Sequence, residues 1–383
     1  MRNDKEIGIV KNFKIFISIA NFLKKDEVIT KDLVLKKTDF NIQKEDYIFF
    51  EGLLKTEPNE NQILIKNSNL FFKDNEDELL FITKITNSKF YYDSNKLQNV
   101  FSSKSKIFNI PYRLKIENDK FNKKVYSKFS SKKMRLNIDN LYEYDENKTG
   151  LLDISFINNS TSFYYKIKKN LISFSSKNLK NKYEGLLEIK PFYLTAKFNY
   201  DGLSTKNFFN KDSILVDLVQ SEIFKNENLN VNLKFNIKKI TNIAELNNLL
   251  LNLDIKEGDI QFSKSMLMWK DDLKISLDES FLNYDGNQIN LDGKLTFDFI
   301  DLNNFYKNFQ IKKTNRKKIK KIELYFVYNF NNNLITFSNP RIDNNPNIKI
   351  ENYFENFNEN EKRALNKVRF KNFVSNFFDI YAG

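Results

Sequence analysis

The chain has 383 residues, 62 of them Lys or Arg against 49 Asp or Glu, giving a formal charge of +13. It contains no Cys and no His, which excludes disulfides, Ser-His-Asp and Cys-His catalysis, and the usual His/Cys zinc sites. Its 9 Gly form neither a P-loop nor a dinucleotide fingerprint, while 38 Phe and 18 Tyr supply a large apolar payload.

Taken in chain order, residues 7–24 set Ile9, Phe13, Phe16 and Ala20 at helical spacing. This predicts a short amphipathic helix inside an N-terminal helical segment, 1–30. The most apolar run there, Ile15 to Leu23, includes Ser18 and Asn21 and falls far short of the ~20 apolar residues that span a bilayer. Charges up to Lys14 and the lack of a small-residue cleavage site do not read as a signal peptide, so the expectation is either a chain soluble as written or a targeting segment upstream.

From about residue 30 the texture is strand after strand. "NQILIKNSNLFFKD" places Ile63, Ile65, Leu70 and Phe72 in register for a half-buried sheet, and "ELLFITKITNSKFYYD" follows a charged tip. Similar runs continue to residue 209. Over 210–226 the period changes: Asp212 or Ser213 is a plausible N-cap, and Ile214, Leu215, Leu218 and Ile223 recur at helical spacing, predicting a short helix. Alternation resumes in "NLNVNLKFNIKK" with Leu229, Val231, Leu233, Phe235 and Ile237, then Leu251 and Leu253, then Leu291, Leu295 and Phe297, through a β region 227–352. Gly293 breaks the last run on its apolar face, where a bulge or a close backbone approach is expected. Residues 355–383 predict a C-terminal amphipathic helix, with Leu365, Val368, Phe373, Val374, Phe377 and Phe378 on one side. That helix either closes the open end of a sheet or lies on a membrane surface.

Groups able to do chemistry are sparse. Asp74, Glu76, Asp77 and Glu78 crowd one turn without the Gly of a calcium loop, and with Asp271-Asp272 they read as solvated turns. The basic run "KKTNRKKIKKIE" is the strongest charge feature. It reads as a solvated turn, or as a patch meeting anionic headgroups through Lys312, Lys313, Arg316, Lys317 and Lys318. A nucleic-acid groove would add exposed aromatics for stacking, whereas here the aromatics alternate within strands. No enzyme and no cofactor are expected.

The stretches "NLNVNLKFNIKKI", "LNNLLLNLDIKEGDIQF" and "NQINLDGKLTFDF" together resemble the C-terminal region of AsmA-like proteins, relatives of TamB. The resemblance covers about residues 35–380 as texture and spacing. It implies a mainly β fold: a long curled antiparallel sheet forming an elongated, taco-like groove, over 31–209 and again over 227–352. It also implies a non-enzymatic protein of the periplasm, associated with the inner membrane, that conducts phospholipid between inner and outer membranes and supports outer-membrane biogenesis. Family members usually begin with an inner-membrane helix, which this chain does not display.

Physical reasoning reaches the same groove independently. A many-stranded sheet with one apolar face must cover that face, by closing on itself or by holding something oily. Keeping a 16-carbon acyl chain in water costs on the order of 12 kcal/mol, at ~0.8 per CH₂. A continuous apolar lane removes most of that cost, with Leu229, Val231, Leu233, Phe235, Leu251, Leu253, Leu291, Leu295 and Phe297 as the expected lining. The alternative is a structural or protein-binding all-β envelope protein with a dry, closed core. Phospholipid and envelope or membrane surfaces at the groove ends are the expected partners, and nucleic acid is not.

Overall fold

The computed structural model describes residues 7–17, 30–43, 61–74, 76–144, 148–156, 159–169, 171–177, 182–189, 192–204, 226–262, 264–284, 288–360 and 367–383, with isolated positions 46, 52, 219 and 223. Among the described residues the chain is mainly β, with 22 strands of one mixed sheet and three short α-helices, one of them C-terminal. It divides into two compact units, the first Met1–Leu179 with Leu186–Phe192 and Ser221–Asn228, the second Lys180–Gly185, Tyr193–Gln220 and Leu229–Gly383.

The first unit carries β1 (Gly8–Ile17), β2 (Thr30–Gln43), β3 (Gln62–Lys73), β4 (Leu79–Asp93), β5 (Gln98–Ile107), β6 (Ile110–Asp119), β7 (Lys124–Ser131), β8 (Leu136–Glu143), β9 (Thr149–Phe156), β10 (Asn159–Lys168) and β11 (Leu171–Ser176). Each pairs antiparallel with its successor, except that β2 and β3 run parallel. Short polar turns explain the meander, because a hairpin needs few linking residues whereas a parallel pair needs a crossover.

Residues 8–17 are therefore strand, not the helix expected over 7–24. Ile9, Val10, Ile15 and Ile17 are β-branched, and the run pairs with β2 from Gly8↔Phe40 to Phe16↔Asp32. The 3–4 spacing of Ile9, Phe13 and Phe16 coincided with a period-two reading of Phe13, Ile15 and Ile17, and ladder pairing decided between them. The helix expected over 210–226 falls almost wholly outside the described residues.

A line of irregularity crosses the first strands. Lys37 in β2 and Asn67 in β3 have φ of 54° and 49°, and β4 carries a bulge between Ile85 and Asn87. Such residues switch the side-chain parity, so Leu33 and Leu35 before the break share a face with Phe40 and Ile42 after it. Hydroxyls serve the backbone groups freed there. Ser68 Oγ accepts from Thr38 N at 3.0 Å and donates to Lys66 O at 3.0 Å.

The second unit contains most of β13 (Phe192–Tyr200), then β14 (Leu229–Lys239), β15 (Leu246–Lys256), β16 (Asp259–Gln261), β17 (Ser265–Trp269), β18 (Leu273–Tyr284), β19 (Ile289–Phe299), β20 (Lys321–Asn329), β21 (Leu334–Ile342) and β22 (Asn345–Pro346). β12 (Lys182–Ile189) is shared between the units. This unit also carries the helices α1 (Leu302–Phe309), α2 (Ile348–Asn360) and α3 (Lys367–Ala382).

α1 starts where Asp301 accepts from Asn304 N at 2.8 Å and ends at Gln310 in the left-handed region, φ 59°. The C-terminal segment expected as one helix over 355–383 is two, α2 and α3. Asn358 of α2 donates to Phe337 O at 2.7 Å and accepts from Phe337 N at 2.9 Å, so a side-chain amide occupies backbone groups of β21 that no strand pairs at this point.

Candidate functional site

In the first unit, ladder register aligns apolar residues across strands. Leu33, Ile63, Phe90, Phe101 and Ile116 are successive cross-strand partners on β2 to β6. Beside them Leu114, Phe129, Ile138 and Ile154 form a second lane on β6 to β9. All nine are half-buried. The reverse face is mixed: Val100, fully buried, and Leu141 and Leu151 share it with ion pairs, Lys128 meeting Asp139 at 3.4 Å and Glu117 receiving Lys115 at 2.9 Å and Lys96 at 3.1 Å. Burial opposes ionisation of Glu117, but the two lysine hydrogen bonds outweigh it and hold the carboxyl below its ordinary value.

Hydroxyls cross this apolar face near the line of irregularity. Ser88 Oγ donates to Ser103 Oγ at 2.7 Å, and the Ser103 and Ser105 hydroxyls lie 2.6 Å apart, all three residues buried. Burial pushes the Tyr112 phenol up, against hydrogen bonds with Thr83 and Ser105. Gly150 in β9 lies beneath Tyr165, whose ring would sit 2.3 Å from an added Cβ and whose hydroxyl donates to Asn140 at 2.8 Å.

In the second unit, β14 and β15 pair Val231↔Ile255, Leu233↔Leu253, Phe235↔Leu251 and Ile237↔Leu249. The expected lining residues Leu229, Leu233, Phe235, Leu251 and Leu253 are half-buried, and Val231 is buried. Phe198 of β13 stacks on Phe235 at 4.9 Å, extending the row by one strand.

Leu291, Leu295 and Phe297 were expected in the same lining, and the structure corrects this. They pack against a core in which the helices cover β18 to β21: Phe305, Tyr306 and Phe309 from α1, Ile350, Phe354 and Phe357 from α2, Phe377 and Phe378 from α3. Alternation alone does not distinguish an apolar face that helices cover from one they leave alone. Phe373 and Val374 of α3 also join this core, whereas Val368 is 68% exposed and does not belong to the expected apolar side.

Asp272 was expected to be solvated with Asp271, but is 3% exposed. Its carboxylate accepts from the side-chain amides of Asn304 and Asn308, at 2.5 and 2.6 Å, and its carbonyl accepts from Ile300 N and Asp301 N at 2.8 and 3.1 Å. One residue thus anchors α1 to the hairpin between β17 and β18. The sequence signal was Asn304 and Asn308, one helical turn apart. Asp74 remains at a tip, accepting from Glu76 N and Glu78 N at 2.7 and 3.0 Å.

The basic run forms a loop between α1 and β20, pinned by buried Ile311 and Ile319. Lys312, Lys313, Lys317 and Lys318 are exposed as expected, but Arg316 turns inward. Its Nε donates to Ile311 O at 3.0 Å, and its guanidinium lies over the Tyr306 ring, 5.9 Å from the centroid. The Tyr306 hydroxyl donates to Lys317 O, and burial pushes its pKa up to about 12. Asn315 donates to Asp379 of α3.

Among the described residues no helix is long and apolar enough to cross a membrane. No family model, no curated protein and no solved structure matches this chain.

Proposed function

We propose that this protein is a non-enzymatic, AsmA-like carrier that binds phospholipid acyl chains along the apolar face of its sheet. In this reading it conducts them between inner and outer membranes in support of outer-membrane biogenesis, working in the periplasm beside the inner membrane. One observation carries the proposal. Cross-strand register lines up half-buried apolar residues over successive strands of the first unit, Leu33, Ile63, Phe90, Phe101 and Ile116 among them. Hydrocarbon tails lying there would complete the burial that the protein's own helices complete over β18 to β21. Conduction of this kind needs surface and shape, and no reactive group.

The test is mass spectrometry of organic extracts from the gently purified protein. Phospholipid in stoichiometric amount is expected, and protein that is free of lipid after extraction from lipid-rich cells would overturn the proposal. Leu233→Asp places a carboxylate opposite Leu253 in the apolar row and is expected to lower bound lipid several-fold, since an unpaired charge there is costly to desolvate. The second reading, a structural or protein-binding role with a dry core, draws on the helix-covered face. It predicts no lipid and no effect of that substitution on lipid content.

A further inference from the structure

We propose that the loop from Lys312 to Lys320 is a preorganised contact for an anionic membrane surface. The proposal deepens the lipid-handling reading by naming the surface that meets the bilayer, and it stands on different residues. Lys312, Lys313, Lys317, Lys318 and Lys320 are all exposed. None of them forms an ion pair among the described residues, whereas the neighbouring Lys321 is committed to Glu323 at 3.0 Å. Two carboxylates lie close by and are otherwise occupied. Asp379 receives Asn315, and Asp343 accepts from the Lys320 and Lys321 amides at 2.9 Å each. The loop therefore presents a surplus of positive charge.

Its backbone is held from several sides. Ile311 and Ile319 are 2% and 3% exposed, Arg316 bridges back to Ile311 O, and Tyr306 reaches Lys317 O from α1. The lysines thus stand on a fixed frame, and ordering the backbone on contact costs little.

The occupant follows from which side chains face out. The single Arg, the residue suited to bidentate phosphate reading, is spent inside the fold, leaving compact point charges that suit a diffuse anionic surface. The neighbouring rings of Tyr306, Phe309, Phe377 and Phe378 are each at most 5% exposed and Tyr381 is half-buried, so among the described residues no row of exposed rings for stacking bases accompanies the charge. An aliphatic side chain is exposed instead. Ile348, 73% exposed, opens α2 a short way beyond the Asp343 turn that receives this loop.

The experiment is co-sedimentation of the full chain with phosphatidylcholine vesicles, with and without phosphatidylglycerol, at low and high salt. Binding to the phosphatidylglycerol vesicles alone is expected, and it should fall as salt rises. Replacing Lys312, Lys313, Lys317 and Lys318 together by Gln should weaken binding by up to about five-fold per lysine. Equal binding to both vesicle types overturns the proposal. So does a Gln variant that binds as wild type, or wild-type preference for a single-stranded oligonucleotide over the anionic vesicles. Should that variant fail to fold, as read from Trp269 fluorescence, the wild-type salt and lipid dependence decides alone. Lipid that co-purifies with the Gln variant reports on the apolar face and not on the loop, so the two proposals fail separately.

Discussion

Gly293 offers the sharpest test of how the second unit is packed. A Cβ added there would lie 2.6 Å from Ser280 Cβ, 2.9 Å from Ser280 Cα and 3.3 Å from Asp278 O. The crowding arises because β18 bulges between Asp278 and Phe281, with Glu279 at φ 48°, and thereby leans over β19. Gly293→Ala must push a backbone atom as well as a side chain. Overpacking of this kind costs about 1–3 kcal/mol, and the upper half applies because Cα cannot swing away. A gain of about 0.4–1 kcal/mol from stiffening the unfolded chain offsets part of that. The net loss of roughly 1–2.6 kcal/mol corresponds to a Tm lower by about 2–10 °C. The chain's single Trp, Trp269, packs 5.2 Å from Phe309 and 5.3 Å from Phe370, so its fluorescence reports melting of this unit. Adding Ser280→Gly removes the 2.6 Å contact but not the 2.9 Å one, and should restore about half the loss. A Gly293→Ala protein that melts at or above the wild-type temperature would refute the close approach.

Other outcomes follow from single groups. Hydrogen bonding from Lys294 at 2.7 Å, against the cost of burial and with help from Lys321, holds the Glu323 carboxyl below 4.5 in the folded state. Its contribution is therefore complete above that pH and is lost as pH falls through the folded value, so Glu323→Gln should cost about 1–2 kcal/mol at neutral pH and flatten the acid limb of a stability profile. Thr38 is fully buried and its Oγ1 has no partner among the described residues, so Thr38→Val should leave stability unchanged or raise it by up to about 1 kcal/mol in a urea titration. A clear loss would reveal a partner for that hydroxyl. Among the described residues β1 pairs with β2 alone, and its Phe13, Phe16 and Ile9 are each more than half exposed, so Phe13→Lys should reduce concentration-dependent association in light scattering without lowering Tm.

The β character of the chain was legible because period-two alternation is a local property, and Leu233↔Leu253 and Phe235↔Leu251 pair as the pattern implied. Gly293 was legible for the same reason: a missing side chain in an apolar row marks a close approach. Three features escaped, each for a physical cause. The strand at residues 8–17 carried both periods, and its partner β2 was needed to choose. Asp272 looks like any turn carboxylate until Asn304 and Asn308 are brought against it by α1. The parity switch at Lys37 and Asn67 depends on backbone angles that Lys does not announce and that Asn, which often adopts them, announces only weakly among so many Asn.

The hardest distinction was between Leu233 and Leu295, which occupy equivalent places in similar alternating strands. The two strands read alike; what their sequences do not show is what packs on them, and Leu295 packs against a core that includes helical Phe and Ile side chains. Over β18 to β21 the described helices α1, α2 and α3 bring Phe and Ile side chains enough to bury Leu273, Leu324 and Phe326 almost completely. Over β2 to β9 the matching rows stay half-buried, and each incompletely covered Ile or Phe forgoes part of the ~25 cal/mol per Å² that covering would return. In the proposed reading these half-buried rows are covered by an apolar ligand. A ligand that is itself apolar recovers the same free energy, and unlike a helix it can move along the row.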